Sequence, residues 1–232
     1  MTLKKIRTVL FDLDGTLADT APDLAYALNS VLDEYGRRPI SYDVIRPIVS
    51  HGTNALLYLG FELDPQDEGF DIAKDRLISI YRSNIARKTT LFPGMDKVLD
   101  TLESNGLNWG IVTNKPTHLT NPLMKALGLY DRASCIISGD TTSRSKPDPL
   151  PMFYAAMKTG SSPEQCLYIG DARRDIEAGL NADMQTVAAL FGYISEHDAP
   201  ETWGAHRTIN QPLDILKLLE LSSNPLAEAA EV

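Results

Sequence analysis

A chain of 232 residues, 43% hydrophobic and 23% charged, has the composition of an ordinary folded protein, with room for one large domain or a core plus a smaller insert. Its 22 basic and 31 acidic residues leave a formal charge of -9, which argues against nucleic acid and anionic membranes as partners. No apolar run approaches membrane-spanning length, and the basic start, Met1 to Arg7, is followed only by Val9-Leu10-Phe11, too short for a signal-peptide core, so a cytoplasmic protein is expected.

In chain order, Thr8 to Phe11 predicts a short buried strand. Roughly ninety residues separate it from the next strand, Trp109 to Val112, far more than an ordinary crossover needs. That interval reads as helical. Leu24, Leu28, Val31, Leu32 and Tyr35 share one helix face, opened by Pro22 and stopped by Gly36. Ala55, Leu56 and Leu59 predict a shorter helix ending at Gly60, and Phe70, Ala73, Leu77, Ile80 and Tyr81 a third.

Beyond it the pattern alternates. Strands are expected at Trp109–Val112, Cys135–Ile137, Leu167–Ile169 and Thr186–Leu190. Helices are expected at 94–104, 117–127, 149–158, 174–180 and 213–221. Pro122 falls inside the second of these, where it removes a hydrogen-bond donor and favours a kink or a shorter helix. Apolar strands alternating with helices imply an α/β fold, a parallel sheet covered on both faces. The expected organisation is a Rossmann-like core from residues 1–18 and 89–232, interrupted by an all-helical insert at 19–88. Asp19-Thr20 and Lys88-Thr89-Thr90 are the candidate hinges, and residues 222–232 read as a frayed tail. Cys135 and Cys166 each sit in an apolar run and read as buried thiols.

Chemistry-bearing residues gather just after the strands, where a parallel sheet collects its ligands. Asp12-Leu13-Asp14-Gly15-Thr16 offers two carboxylates at i and i+2, and a glycine that lets backbone N–H groups approach a phosphate. One carboxylate can attack phosphorus and the other can move a proton. An Asx-rich turn is the alternative reading. Thr113-Asn114-Lys115-Pro116 provides a hydroxyl and N–H groups suited to a phosphate oxygen, or an ordinary helix cap. Ser145-Lys146-Pro147-Asp148-Pro149 stiffens a lysine with proline, although most lysines are solvated. Gly170-Asp171-Ala172-Arg173-Arg174-Asp175 places two acids four apart at a helix start, fit for a hard cation or simply for the helix dipole. In the insert, Arg46 and Ser50-His51-Gly52-Thr53 form a polar cluster before a short helix, suited to an anionic or hydroxylated group, or else a plain interhelical loop. His118 and His197 are expected to be exposed and without a role.

The four strand-end segments, in this order and spacing, resemble the haloacid dehalogenase superfamily of phosphohydrolases, and the likeness runs through nearly the whole chain. The resemblance implies a phosphatase using Mg2+ and an aspartyl-phosphate. Asp12 would be the nucleophile and Asp14 the general acid/base, with Thr113 and Lys146 orienting the phosphate. Asp12, Asp171 and the Asp14 backbone carbonyl would hold the metal, Asp175 binding it or orienting its waters. Leu13, Gly15, Thr16, Asn114 and Lys115 would line the phosphate, and Arg46, His51 and Gly52 would belong to a cap that reads the leaving group. A carboxylate at Asp14 separates the chain from the dehalogenases and phosphonate hydrolases of that superfamily.

Within it, the phosphoglycolate phosphatases are a near group. The stretches LNWGIVTNKP (107–116), SKPDPLP (145–151) and GYISEHDAPETWGA (192–205) resemble bacterial N-acetylmuramic acid 6-phosphate phosphatases, with His51 standing where a small residue is expected. The implied partner is a small phosphorylated metabolite, and the implied state a monomer or weak dimer. A phosphomutase would share every core residue, and a non-catalytic binding module would share the fold.

Overall fold

The computed structural model describes residues 6–221. The tail expected at 222–232 lies outside the described residues. Strand β1 (Thr8–Phe11) leads into the two-residue strand β2 (Ala18–Asp19). The inserted helices follow: α1 (Ala21–Glu34), α2 (Tyr42–Ile45) running into a 3-10 segment at Arg46–His51, α3 (Gly52–Phe61) and α4 (Phe70–Ser83). The chain returns through β3 (Thr90–Leu91) and then alternates α5 (Met95–Ser104), β4 (Asn108–Val112), α6 (Thr117–Ala126), β5 (Cys135–Ile137), α7 (Leu150–Lys158), β6 (Cys166–Gly170), α8 (Arg173–Asn181) and β7 (Gln185–Ala189). Strand β8 (Arg207–Ile209) and helix α9 (Asp214–Leu218) close the described chain.

The main sheet has the order β5-β4-β1-β6-β7-β8, and every pairing in it is parallel. β1 is central because it is apolar on both faces. Val9 and Phe11 pack with Trp109, Ile111 and Leu167 on one side, and Leu10 with Val112, Tyr168 and Met152 on the other. Each such side chain, fully withdrawn from water, contributes roughly 1.5–3 kcal/mol before entropy is counted. A separate cluster, centred on Leu28, Leu32, Leu56, Leu77 and Tyr81, holds the inserted helices together and takes in Phe92, Leu119 and Tyr193 from outside the insert. Both cysteines are buried and unpaired, and burial pushes each thiol up to about 12.

The differences from the sequence reading are local. β8 was not expected: two of its three residues are exposed, so it carries no apolar run. β2 and β3 pair antiparallel over two residues each, too few for a periodic pattern. α3 runs past Gly60 to Phe61 and is stopped by Glu62 in the left-handed conformation, φ 57°. The late helix is shorter than expected, Asp214–Leu218. α6 continues through Pro122 to Ala126, anchored by buried Leu119, Leu123 and Met124.

Asp23, in the first turn of α1, fixes the return of the chain. Its buried carboxylate accepts the Lys88 and Thr89 backbone N–H groups and the Thr89 hydroxyl, at 2.8–3.0 Å. The outgoing and incoming segments of the insert are thereby tied together.

Candidate active site

β4, β1 and β6 are adjacent and parallel, so the residues after them meet at one edge of the sheet. Asp12 follows β1, Thr113 follows β4 and Asp171 follows β6. Lys146, from the loop after β5, reaches between them with its ammonium 2.9 Å from Asp12 Oδ1 and 2.7 Å from Asp175 Oδ1. It also donates to the Val112 carbonyl at 2.9 Å and to the Tyr168 hydroxyl at 2.8 Å. Asp12, Lys146, Asp171 and Asp175 are all buried.

The carboxylates of Asp12, Asp171 and Asp175 each bring an oxygen within 4.8 Å of the others. Asp171 is the unbalanced member. Burial, with the charges of Asp12 and Asp175, raises it from 3.8 to about 7. Burial also opposes the charge of Asp12, but Lys146 and Arg174 outweigh it and hold that carboxyl below its ordinary value. For Asp175 burial prevails, and its carboxyl is raised. Among the described residues Asp12 Oδ1 finds no hydrogen bond of good geometry, although the Lys146 ammonium is 2.9 Å away. Three buried, mutually repelling oxygen donors within 4.8 Å of one another, one of whose carboxyls resists ionisation for want of a balancing charge, fit a hard divalent cation.

Glycines make this crowding possible. A Cβ on Gly170 would lie 2.3 Å from the Asp175 Cβ, and one on Gly192 would lie 2.2 Å from the Asp171 Cβ. Gly15, at φ +84°, would put its Cβ 2.2 Å from Asp171 Oδ2. Asp171 is further held by the Tyr193 N–H at 2.8 Å, by Ser50 Oγ at 2.9 Å and by Thr16 Oγ1 at 3.3 Å.

Asp14 stands apart from the three-carboxylate group. Its Oδ1 accepts from Thr20 at 2.5 Å and pairs with Lys115 at 2.9 Å. Lys115 packs on the ring of Tyr81 from α4, 4.5 Å from the centroid. Among the described residues the buried Tyr81 hydroxyl has no hydrogen-bond partner, and burial raises it to about 12.

A cavity of about 600 Å³ opens over Asp12, Asp14, Thr113 and Lys115, with its other wall formed by the inserted helices. His51 and Gly52 line it, as does Asn114. Arg46 does not join it. Its guanidinium donates to the Gly192 and Phe191 carbonyls at 3.1 and 3.3 Å and lies over the Tyr193 ring. Leu13, Gly15 and Thr16 do not line the cavity either: the Leu13 side chain packs in the core, Gly15 lies against Asp171, and the Thr16 hydroxyl donates to Asp171. The Asn114 amide clamps the Lys146 backbone through reciprocal 3.0 Å hydrogen bonds. Arg174, to which the sequence reading gave no role, lines the cavity and donates to the Ser50 carbonyl at 2.6 Å. Its signal was its place between two acids. Tyr81 carries no signal in the sequence beyond its helical spacing. His118 and His197 are exposed, but His118 borders the cavity.

A buried group of three acids, a lysine bridging two of them and a second aspartate two residues after the first can supply a nucleophile, a proton carrier and charge neutralisation for phosphoryl transfer. The sequence matches the family model of haloacid dehalogenase-like hydrolases over residues 9–189, and the chain belongs to that family. It is 38% identical over 216 residues to a Pseudomonas putida protein named N-acetylmuramic acid 6-phosphate phosphatase, covering 93% of this chain and 97% of that one. It is 42% identical over 207 residues to a Xylella fastidiosa protein named phosphoglycolate phosphatase, covering 89% and 90%. Among solved structures, one titled as a predicted phosphoglycolate phosphatase from Haemophilus somnus superposes with a TM-score of 0.83 at 27% identity, covering 93% of this chain and 99% of that one. The protein is a phosphoric monoester hydrolase. Among the described residues no helix is long and apolar enough to cross a membrane.

Proposed function

We infer that the enzyme hydrolyses a small phosphomonoester by way of a phospho-aspartate on Asp12, with N-acetylmuramic acid 6-phosphate as the first candidate substrate and 2-phosphoglycolate as the second. The observation that carries this reading is the buried Asp12 carboxylate, held low by Lys146 and Arg174 at the floor of the cavity. An ionised oxygen is the nucleophile such a reaction needs.

Asp12 attacks phosphorus, the bond from phosphorus to the leaving oxygen breaks, and Asp14 gives that oxygen its proton. Water then attacks the phosphorus of the acyl phosphate, Asp14 takes the water's proton, and free phosphate leaves with Asp12 restored. Thr113 and Lys146 orient the phosphoryl oxygens. Asp12, Asp171, Asp175 and the Asp14 backbone carbonyl are the residues that would hold Mg2+, which when bound would offset their charge and that of the phosphate. The helices of residues 19–88 act as a cap over the leaving group, moving on the segments at Asp19-Thr20 and Lys88-Thr90 and excluding water.

The test is a panel of phosphorylated metabolites, including both candidates, assayed for phosphate release with and without magnesium. Asp12→Asn is expected to abolish turnover of every substrate, p-nitrophenyl phosphate included, because an amide is a poor nucleophile. Turnover surviving that change would remove Asp12 from the mechanism.

A further inference from the structure

Three Lys or Arg side chains line the cavity, and two of them already face acids. Lys115 is paired with Asp14, and Arg174 lies in the field of Asp175, Asp12 and Asp171. The third is Lys74, on α4, and among the described residues it has no carboxylate partner. Its ammonium lies 5.6 Å from the centre of the Phe70 ring, one turn toward the start of the helix.

α4 also supplies Tyr81, which meets Lys115 beside Asp14 and so marks the catalytic end. Lys74 and Tyr81 are seven residues apart, which is about 10 Å along a helix axis. The tilt of Lys74 toward Phe70 takes its charge further from Tyr81. Between the two, Leu77 and Ile78 present an apolar wall to the cavity. The space is therefore polar and reactive at one end, apolar in the middle and cationic at the other.

We propose that Lys74 binds a carboxylate carried by the leaving group, and that the leaving group is ring-sized rather than a two-carbon acid. This rests on the phosphatase reading above and deepens it. A two-carbon acid phosphate is too short to place its phosphoryl group at Asp12 and its carboxylate two helical turns away. A sugar phosphate with an acidic ether side arm has both the length and an apolar flank for Leu77 and Ile78. A lone lysine near apolar surface attracts an anion more strongly than one in open water.

The test compares wild type, Lys74→Met and Lys74→Arg on N-acetylmuramic acid 6-phosphate and N-acetylglucosamine 6-phosphate, which lacks the lactyl carboxylate, with 2-phosphoglycolate and p-nitrophenyl phosphate alongside. Wild type is expected to prefer the acidic sugar at least tenfold in kcat/KM. Lys74→Met is expected to cut that preference ten- to a hundredfold, chiefly by raising KM, and Lys74→Arg to keep most of it. Equal losses on the acidic and neutral sugars, or an unchanged preference, would overturn the assignment. A wild-type preference for 2-phosphoglycolate would overturn it too, while Asp12-dependent turnover of p-nitrophenyl phosphate left the phosphatase reading standing. Calorimetric binding of the acidic sugar to Asp12→Asn, with and without Lys74→Met, reads the subsite apart from chemistry. Binding unaffected by the second change would also reject the proposal.

Discussion

Asp171 is the residue at which folding and function pull in different directions. Its carboxyl is raised from 3.8 to about 7, first by burial and then by Asp12 and Asp175. A carboxyl raised on folding costs nothing below the unfolded value, where both states carry the proton. Stability then falls as pH climbs from about 4 to 7, because the unfolded chain ionises freely and the folded one does not. Above that window the full cost is on the order of 4 kcal/mol for a fully buried group. Asp171→Asn is therefore expected to gain more in melting temperature over wild type at pH 8 than at pH 5, measured in chelator. An identical gain at both values would contradict this.

At the same scale, the acids and lysine of the site were readable because each follows a strand or its loop, and parallel strands bring such positions together. What the sequence could not reveal was the division of labour inside each segment. The Asn114 amide bonds the Lys146 backbone and the Thr16 hydroxyl bonds Asp171, partners that the sequence does not mark. Arg46 looked free because its partners are carbonyls nearly 150 residues away, and carbonyls leave no mark in a sequence.

Among elements, the junction of β6 with α8 has no room for a larger residue. Gly170 ends the strand and Asp175 lies in the first turn of the helix, and any side chain at 170 would occupy the space of the acid. Gly170→Ala should force α8 outward, break the 2.7 Å contact of Asp175 with Lys146, and cost about 1–3 kcal/mol. The expected result is at least a hundredfold loss of kcat with a lower denaturation midpoint. Unchanged kcat would show that the junction can shift without disturbing the acids. Five of the six strands of the main sheet, the edge strand β5 among them, were legible as apolar runs, and the amphipathic helices by their spacing. The other edge strand, β8, was not, since two of its three residues are exposed and leave no apolar run, nor was the helical segment at 42–51, where Pro47 and polar residues blur any period.

In the whole molecule, the inserted helices rest on the core through apolar contact with Phe92, Leu119 and Tyr193 and through a group of polar contacts around the loop after β7. Arg46 reaches the Phe191 and Gly192 carbonyls, Ser50 reaches Asp171, and the Tyr193 hydroxyl bonds Asp19 and the Ala21 N–H. Hydrogen bonds from a charged group contribute roughly 1.5–3 kcal/mol. Arg46→Ala should thus favour an open arrangement. Its kcat/KM is expected to fall about tenfold with little change in melting temperature, and its radius of gyration in solution scattering to rise. A compact variant with full activity would show that Arg46 does not govern closure.

The narrow ribbon of β2 and β3 has a consequence for engineering. Ala18 faces Leu91 and Asp19 faces Thr90, so the chain departs from the sheet and comes back to it at nearly the same point. A gap that small can be bridged by a tight turn, or fitted with a foreign helical module, without re-registering any strand of the main sheet. On the proposed reading, in which these helices read the leaving group, exchanging what is plugged into that socket should alter substrate range while leaving the chemistry at the sheet edge in place.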